Sequence, residues 1–271
     1  MRSIFLILSA AVFFNSSLPA QENYSLWPRR PAELEQAQRL LRQKEYDQAL
    51  VLLAPFVHKG GLAGREARHM VGAIRVRRYL SAQNPSARLH TVRRGENIER
   101  IASAYKTSRD IIILVNGMAD PSALKVGQKL AVIPQTLRAE LHPEARELTV
   151  WDGRELIAAY DVNPTPDLLA GANEETKLRE REGELNGARV PRTSALYTSS
   201  NRSLRLADGT LITGGNTSTK NRVVHMQQKD ANELSLLLGM GSRVSIVRDA
   251  KSFDPFEAAE PTADKPTGRN N

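Results

Sequence analysis

The sequence predicts an α+β chain in three consecutive parts: an N-terminal helical hairpin region, a small strand–helix–helix–strand (βααβ) module, and a β-rich C-terminal domain. Three observations carry this expectation. Apolar residues recur at spacings of three and four between Leu34 and Leu53, the period of helices that bury one face. Between His90 and Pro134, two short helical patterns are enclosed by two short strand-like runs. Beyond Leu148 the apolar period falls to two, and Asp152-Gly153 and Asp208-Gly209 stand where tight hairpin turns need a residue with positive φ.

The chain opens with Met1-Arg2, an apolar run from Ile4 to Phe14, and a small-residue end at Leu18-Pro19-Ala20 before the polar Gln21-Glu22. This is the layout of a signal peptide, residues 1–20, cleaved after Ala20. A membrane-spanning helix needs roughly 20 apolar residues, so no transmembrane segment is expected after cleavage, and the protein is expected in the periplasm or cell wall. There is no cysteine, which excludes disulfides, thiolate metal sites, a lipid anchor on cysteine and a cysteine nucleophile. An exported chain without disulfides fits a bacterial envelope.

The net charge is +8, unevenly placed: from Arg29 to Arg94 there are 14 Lys or Arg against five acids. A basic face of this kind attracts polyanions. No zinc pattern, aromatic RNA-binding motif or Gly-rich phosphate loop accompanies it, so nucleic acid is not expected. Carboxylate-bearing wall polymers, anionic lipid surfaces or a protein partner at the basic helical region fit the charge, as does a plain solvated face.

After the Pro-flanked stretch Trp27 to Pro31, the helical region covers 31–82. Leu34, Ala37, Leu40 and Leu41, then Tyr46, Ala49, Leu50, Leu52 and Leu53, place one apolar stripe on each of two helices with a turn near Lys44-Glu45. A third helix from about Arg65 to Ser81 carries Ala67, Met70, Val71, Ile74 and Tyr79, and Asn84-Pro85 ends it. The pattern resembles one tetratricopeptide-type hairpin. Solenoids need about three repeats for a continuous core, so this resemblance implies packing rather than a peptide groove.

The module at 89–135 reads as a strand at Thr91-Val92, a turn at Gly95, and a helix capped by Asn97 or Glu96 whose inner face is Ile98, Ile101, Ala102 and Tyr105. Ser108 caps a second helix that has Asp110 in its first turn and buries Ile111, Ile112, Leu114 and Val115. That helix stops at Asn116-Gly117, and a strand runs from Lys129 to Ile133. The opening His90-Thr91-Val92, Gly95, the run from Ile98 to Tyr105, Asn116, Leu124, the run from Gly127 to Leu130, and Pro134 resemble the LysM family. That resemblance implies a βααβ fold that binds N-acetylglucosamine-containing glycans such as peptidoglycan in a shallow groove between two loops. Carried onto this chain, the groove is Gly95, Glu96, Asn97 and Ile98 on one side and Gly117, Met118, Ala119 and Asp120 on the other. Backbone groups would read acetamido groups there, and Ile98 and Met118 would pack on methyls or sugar rings. Glu96-Asn97 stands where the family usually has Asp-Thr or Asp-Ser.

The β-rich domain covers 145–250. Leu148, Val150, Leu156, Ala158 and Tyr160 alternate around the first Asp-Gly turn, and the charged stretch Asn173 to Gly187 shows no apolar face and reads as a solvated excursion. Asp230, with Glu233 three residues on, reads as a capping box for a helix. Arg243 to Val247 closes as a strand, and the Pro-rich polar tail 251–271 reads as disordered. The stretch from Lys220 to Val247 is similar to the end of L,D-transpeptidase catalytic domains, which carry an S-H-G-C-x-R-M loop. The similarity places Lys220 at the serine, Asn221 at the first histidine, Arg222 at the glycine, Val223 at the nucleophilic cysteine and His225 at the arginine. Thr213 falls at the histidine of an upstream I-H-G-T segment. That chemistry needs a thiolate to attack a carbonyl. Valine supplies none, so the resemblance implies an inactive domain.

The five histidines show no metal-ligand spacing, and no serine sits in a G-x-S-x-G elbow. No catalytic residue, metal or cofactor is therefore expected. The sequence points to a non-catalytic peptidoglycan-binding envelope protein. The alternatives are an L,D-transpeptidase-like enzyme using another nucleophile and a wall-synthesis adaptor.

Overall fold

The computed structural model describes residues 30–118, 124–191 and 194–248. The expected signal peptide and the 251–271 tail lie outside them. From Pro31 onward the chain forms one compact unit, and its architecture is α+β as expected.

Helices α1 (Ala32–Arg42) and α2 (Tyr46–Leu53) form the hairpin. Glu33 and Glu35 in the first turn of α1 and Arg39 and Arg42 in its last complement the helix dipole, and Lys44, at φ +65°, makes the turn. Helix α3 runs from Gly61 to Tyr79, starting a turn earlier than its apolar period announces. Asn84 closes it off, donating from Nδ2 to the Tyr79 carbonyl at 2.8 Å.

The small module follows as β1 (Arg88–Thr91), α4 (Ile98–Ala104), α5 (Arg109–Val115) and β2 (Lys129–Val132). The β-rich domain then contributes β3 (Arg138–His142), β4 (Glu147–Asp152), β5 (Glu155–Asp161), β6 (Asn163–Pro164), β7 (Glu174–Leu185), β8 (Ala188–Val190), β9 (Asn201–Leu206), β10 (Leu211–Thr213), β11 (Val223–His225), α6 (Gln228–Leu237) and β12 (Arg243–Ile246). Its sheet has the order β5-β4-β3-β12-β7-β9-β10-β11-β6, with β8 paired to β7. Strand β12 lies between β3, to which it is parallel, and β7, to which it is antiparallel. Both Asp-Gly turns form where expected, with Gly153 at φ +55° and Gly209 at φ +91°.

Three expectations are corrected. Leu114, expected in the buried face of α5, is 49% exposed, and Ile113 is buried instead. The charged stretch taken for a solvated excursion is β7, a central strand of 12 residues. Its buried positions hold Thr176, Leu178, Arg181 and Gly183, and a register shift between Leu178 and Glu180 changes the inward phase by one. No apolar alternation is therefore visible in the sequence. The capping box at Asp230 does not form: α6 begins at Gln228 with no side-chain cap, which puts Asp230 inside the first turn.

The helical region is fused to the sheet. Ala67, Val71 and Ile74 of α3 share a core with Leu34, Leu53 and the sheet residues Trp151 and Leu156. Val76 and Tyr79 enter the larger core with Leu148, Val150 and Tyr160. The crossing is close at Gly72, where a Cβ would stand 2.8 Å from the Ala159 nitrogen, so only glycine fits. Much of the basic charge of α3 is neutralised at this interface. Arg65 reaches Asp161 at 2.6 Å, Arg75 reaches Glu155 at 3.2 Å, and the buried Arg68 reaches the buried Glu147 at 2.5 Å. Among the described residues no helix is long and apolar enough to cross a membrane.

Candidate functional site

The module has its own core of Val92, Ile98, Ile101, Ala102, Ile112, Ile113, Leu130 and Val132. Strands β1 and β2 close it as an antiparallel pair, with His90 opposite Leu130. The first expected groove loop is braced from within. Glu96 accepts the Arg93 N–H at 2.7 Å and lies 2.9 Å from His90 Nε2, while His90 Nδ1 is 3.2 Å from the Tyr105 hydroxyl. A neutral imidazole protonated on Nε2 satisfies both contacts: it donates to Glu96 and accepts from Tyr105. The Arg93 N–H, and after it His90, hold the Glu96 carboxyl below the usual carboxylate range. Asn97, not Glu96, is the helix cap, accepting the Arg100 N–H at 2.9 Å.

The second loop begins where α5 ends. Met118 N–H bonds to the Ile113 carbonyl and Gly117 N–H to the Leu114 carbonyl, a Schellman closure with Gly117 at φ +58°. Asn116 ties this end to β2. It donates from Nδ2 to the Ile112 and Ala131 carbonyls and accepts the Ala131 N–H at Oδ1, each at 2.8 Å.

The structure brings the two loops together at one apolar cluster, to which Ile98 and Met118 both belong. Gly95, Asn97 and Gly117 are exposed, Glu96 and Met118 half-buried, and Ile98 buried. Ile98 is 3% exposed, so its side chain belongs to the core and is not available to a sugar; half-buried Met118 remains as the apolar contact. A Cβ on Gly95 or Gly117 would meet nothing within 4 Å, so the surface is open at both glycines. Ala119 and Asp120 lie outside the described residues. The Asn97 side chain is committed to the cap that the sequence offered it, and the Glu96 side chain to a brace with His90 that the sequence did not reveal.

In the β-rich domain the two segments that resemble L,D-transpeptidase motifs are neighbouring parallel strands, with Thr213 opposite His225 and Leu211 opposite Val223. Val223 is fully buried. Thr213 Oγ1 accepts the Gly215 N–H at 3.1 Å. Arg222, at the family's glycine position, has φ +53°. Its Nη2 pairs with Glu174 at 2.7 Å and also with Asp208, its Nε donates to Thr210, and its N–H donates to Asp167 at 2.7 Å. This arginine network directly precedes Val223, where the resemblance puts a nucleophile. Among the described residues no three His, Asp or Glu side chains group as metal ligands.

Comparisons with known proteins give one family match, within the module, and distant likenesses among solved structures. A search of curated proteins found no match. Among solved structures, the chain is similar to L,D-transpeptidase 1 of Mycobacterium tuberculosis at 11% identity, covering 44% of this chain and 66% of that one, with a TM-score of 0.30. An L,D-transpeptidase from Mycobacterium smegmatis aligns at 9% identity over 45% of this chain and 64% of the other, with a TM-score of 0.29. One from Xylanimonas cellulosilytica aligns at 12% over 81% and 97%, with a TM-score of 0.31. The chain thus spans slightly less than two thirds of the two mycobacterial structures. The LysM domain family matches residues 90–132, a span that includes both helices and part or all of each strand of the βααβ unit.

Proposed function

We propose that this chain is a non-catalytic cell-envelope protein that binds peptidoglycan, or another N-acetylglucosamine polymer, through residues 95–98 and 117–120. The observation that carries the reading is the LysM match at 90–132 together with two adjacent, internally braced loops that leave open surface around Gly95 and Gly117. Rigid loops suit carbohydrate recognition because little ordering entropy opposes binding. Two features support a binding role without catalysis: the sequence has no cysteine, and Val223 is buried where the resemblance places the nucleophile. The N-terminal layout supports export.

The test is co-sedimentation of the full chain with purified insoluble peptidoglycan, in competition with N-acetylglucosamine oligomers. Pelleting that the oligomers relieve, and that Met118→Ala weakens several-fold, is the expected result. Failure to pellet, or pelleting indifferent to the oligomers, would overturn the glycan reading. A changed muropeptide profile after incubation would overturn the non-catalytic one.

A further inference from the structure

On the side of the module facing the β-rich domain lies a second recess, unrelated to the glycan loops' open surface. It is a cleft of about 960 Å³ walled by the outer face of α4 and the α4–α5 connection, by residues 135–138, and by β7 and the α6–β12 turn. Five cationic residues line it: Lys106 and Arg109 from the module, Arg138, Arg181 of β7 and Arg243 of β12. The two lining acids already face arginines, Glu99 with Arg109 at 3.8 Å and Asp110 with Arg202 at 3.6 Å. Arg138 is paired with Glu140, and Arg243 stands 3.9 Å from Glu175. The Lys106 ammonium has no acidic partner among the described residues.

The backbone of Lys106 is fixed at the cleft. It adopts φ +52°, donates to the Ser103 carbonyl and accepts the Gln135 N–H at 3.1 Å. Next to it, the buried Thr107 hydroxyl makes no hydrogen bond. A cleft with five cations and two already paired acids favours an anionic ligand. Met240, 45% exposed at the lining, adds an apolar contact that a purely ionic polymer would not use.

We propose that this cleft binds the carboxylate-bearing peptide stem of a wall disaccharide whose sugars lie on the neighbouring loops. The inference rests on the glycan reading for its geometry. Glu99, at the cleft, directly follows Ile98 of the glycan loop, and α4, spanning Ile98–Ala104, is about 10 Å long at 1.5 Å per residue. An extended peptide of four residues reaches about 13 Å, enough to run from the loop along the helix to Lys106. Acidic stems complement the excess of cations; a bare glycan leaves the cleft empty.

The test measures affinities of the full chain for four soluble probes: a wall disaccharide carrying its acidic tetrapeptide, the same disaccharide without peptide, the free tetrapeptide, and polyglycerol phosphate. Lys106→Glu/Arg243→Glu is compared with the native chain, because both side chains are exposed and reversing them leaves the core intact, which thermal melting verifies. The stem-bearing form is expected to bind about fivefold tighter than the bare disaccharide, an advantage of about 1 kcal/mol. The free peptide is expected to bind weakly. The variant loses both effects and keeps the bare-disaccharide affinity. Equal affinity for the two disaccharides with no free-peptide binding overturns the proposal. So does an undiminished preference in the variant, or polyglycerol phosphate binding as tightly as the peptide. Free-peptide binding that the variant abolishes, with neither disaccharide form bound more tightly than the peptide itself, sustains the cleft and removes the glycan reading instead.

Discussion

Replacing Arg68 by alanine removes the most enclosed ion pair between the helical region and the sheet. The side chains of Arg68 and Glu147 are 3% and 0% exposed. Arg68 Nε donates to the two Glu147 oxygens at 3.0 and 3.1 Å and Nη2 donates at 2.5 Å, while Nη1 donates to the Val57 and Lys59 carbonyls at 3.2 and 2.9 Å. Alanine leaves a carboxylate and the Val57 carbonyl in a dry interior. Breaking one side of such a pair costs about 3–5 kcal/mol, which for a domain of this size lowers Tm by about 6–20 °C. Thermal and urea denaturation of Arg68→Ala give the loss. The double change Arg68→Met/Glu147→Leu, which removes both charges, should recover most of it. A single-variant loss below about 1 kcal/mol, the range of exposed pairs, or a double variant no better than the single, would refute this account.

Asn116→Ala deletes two hydrogen bonds from the end of α5 to β2 and one back to α5 and should cost about 2–3 kcal/mol; urea melts and faster amide exchange at Ala131 would report it. Burial pushes the Glu233 carboxyl up, with the hydrogen bond from Tyr160 opposing that shift. A carboxyl with a raised native pKa supports folding fully below its unfolded pKa and loses that support as pH rises through the folded one. Glu233→Gln should therefore melt higher than the native chain near pH 8, and the two should converge near pH 4; an unchanged difference across that range contradicts the sign. In Val223→Cys, the thiol would be the only one in the chain and fully enclosed. It should react with Ellman's reagent only in denaturant, and prompt labelling of the folded protein would show the strand to be accessible after all.

The parts that could be read from the sequence are those whose signals are local. Asn97 and Ser108 each cap a helix of the module, as their positions announce. Gly117 ends α5 through a positive φ, and both Asp-Gly pairs turn hairpins. Strand β7 was hidden because long-range partners hold it: Arg205 pairs with Glu182, Arg189 with Glu180, and Arg181 bonds the Ser235 carbonyl. None of these partners is visible in a window of neighbouring residues. The same limit applies to the basic stretch before Arg94. Its arginines look solvent-directed in sequence, yet Arg65, Arg68 and Arg75 hold α3 to β4 and β5. At the candidate site, loop positions were legible from spacing, whereas the burial of Ile98 and the bracing of Glu96 by His90 needed three dimensions.

Strand β12 follows the other described strands in sequence, yet it is inserted between β3 and β7 in the middle of the sheet. Until it arrives, β3 and β7 have no shared neighbour and the larger core lacks Val244 and Ile246. Contacts so distant along the chain are made late in folding. The sheet is therefore whole only once β12 has docked, and losing that one strand would part it into β5-β4-β3 and the strands from β7 onward.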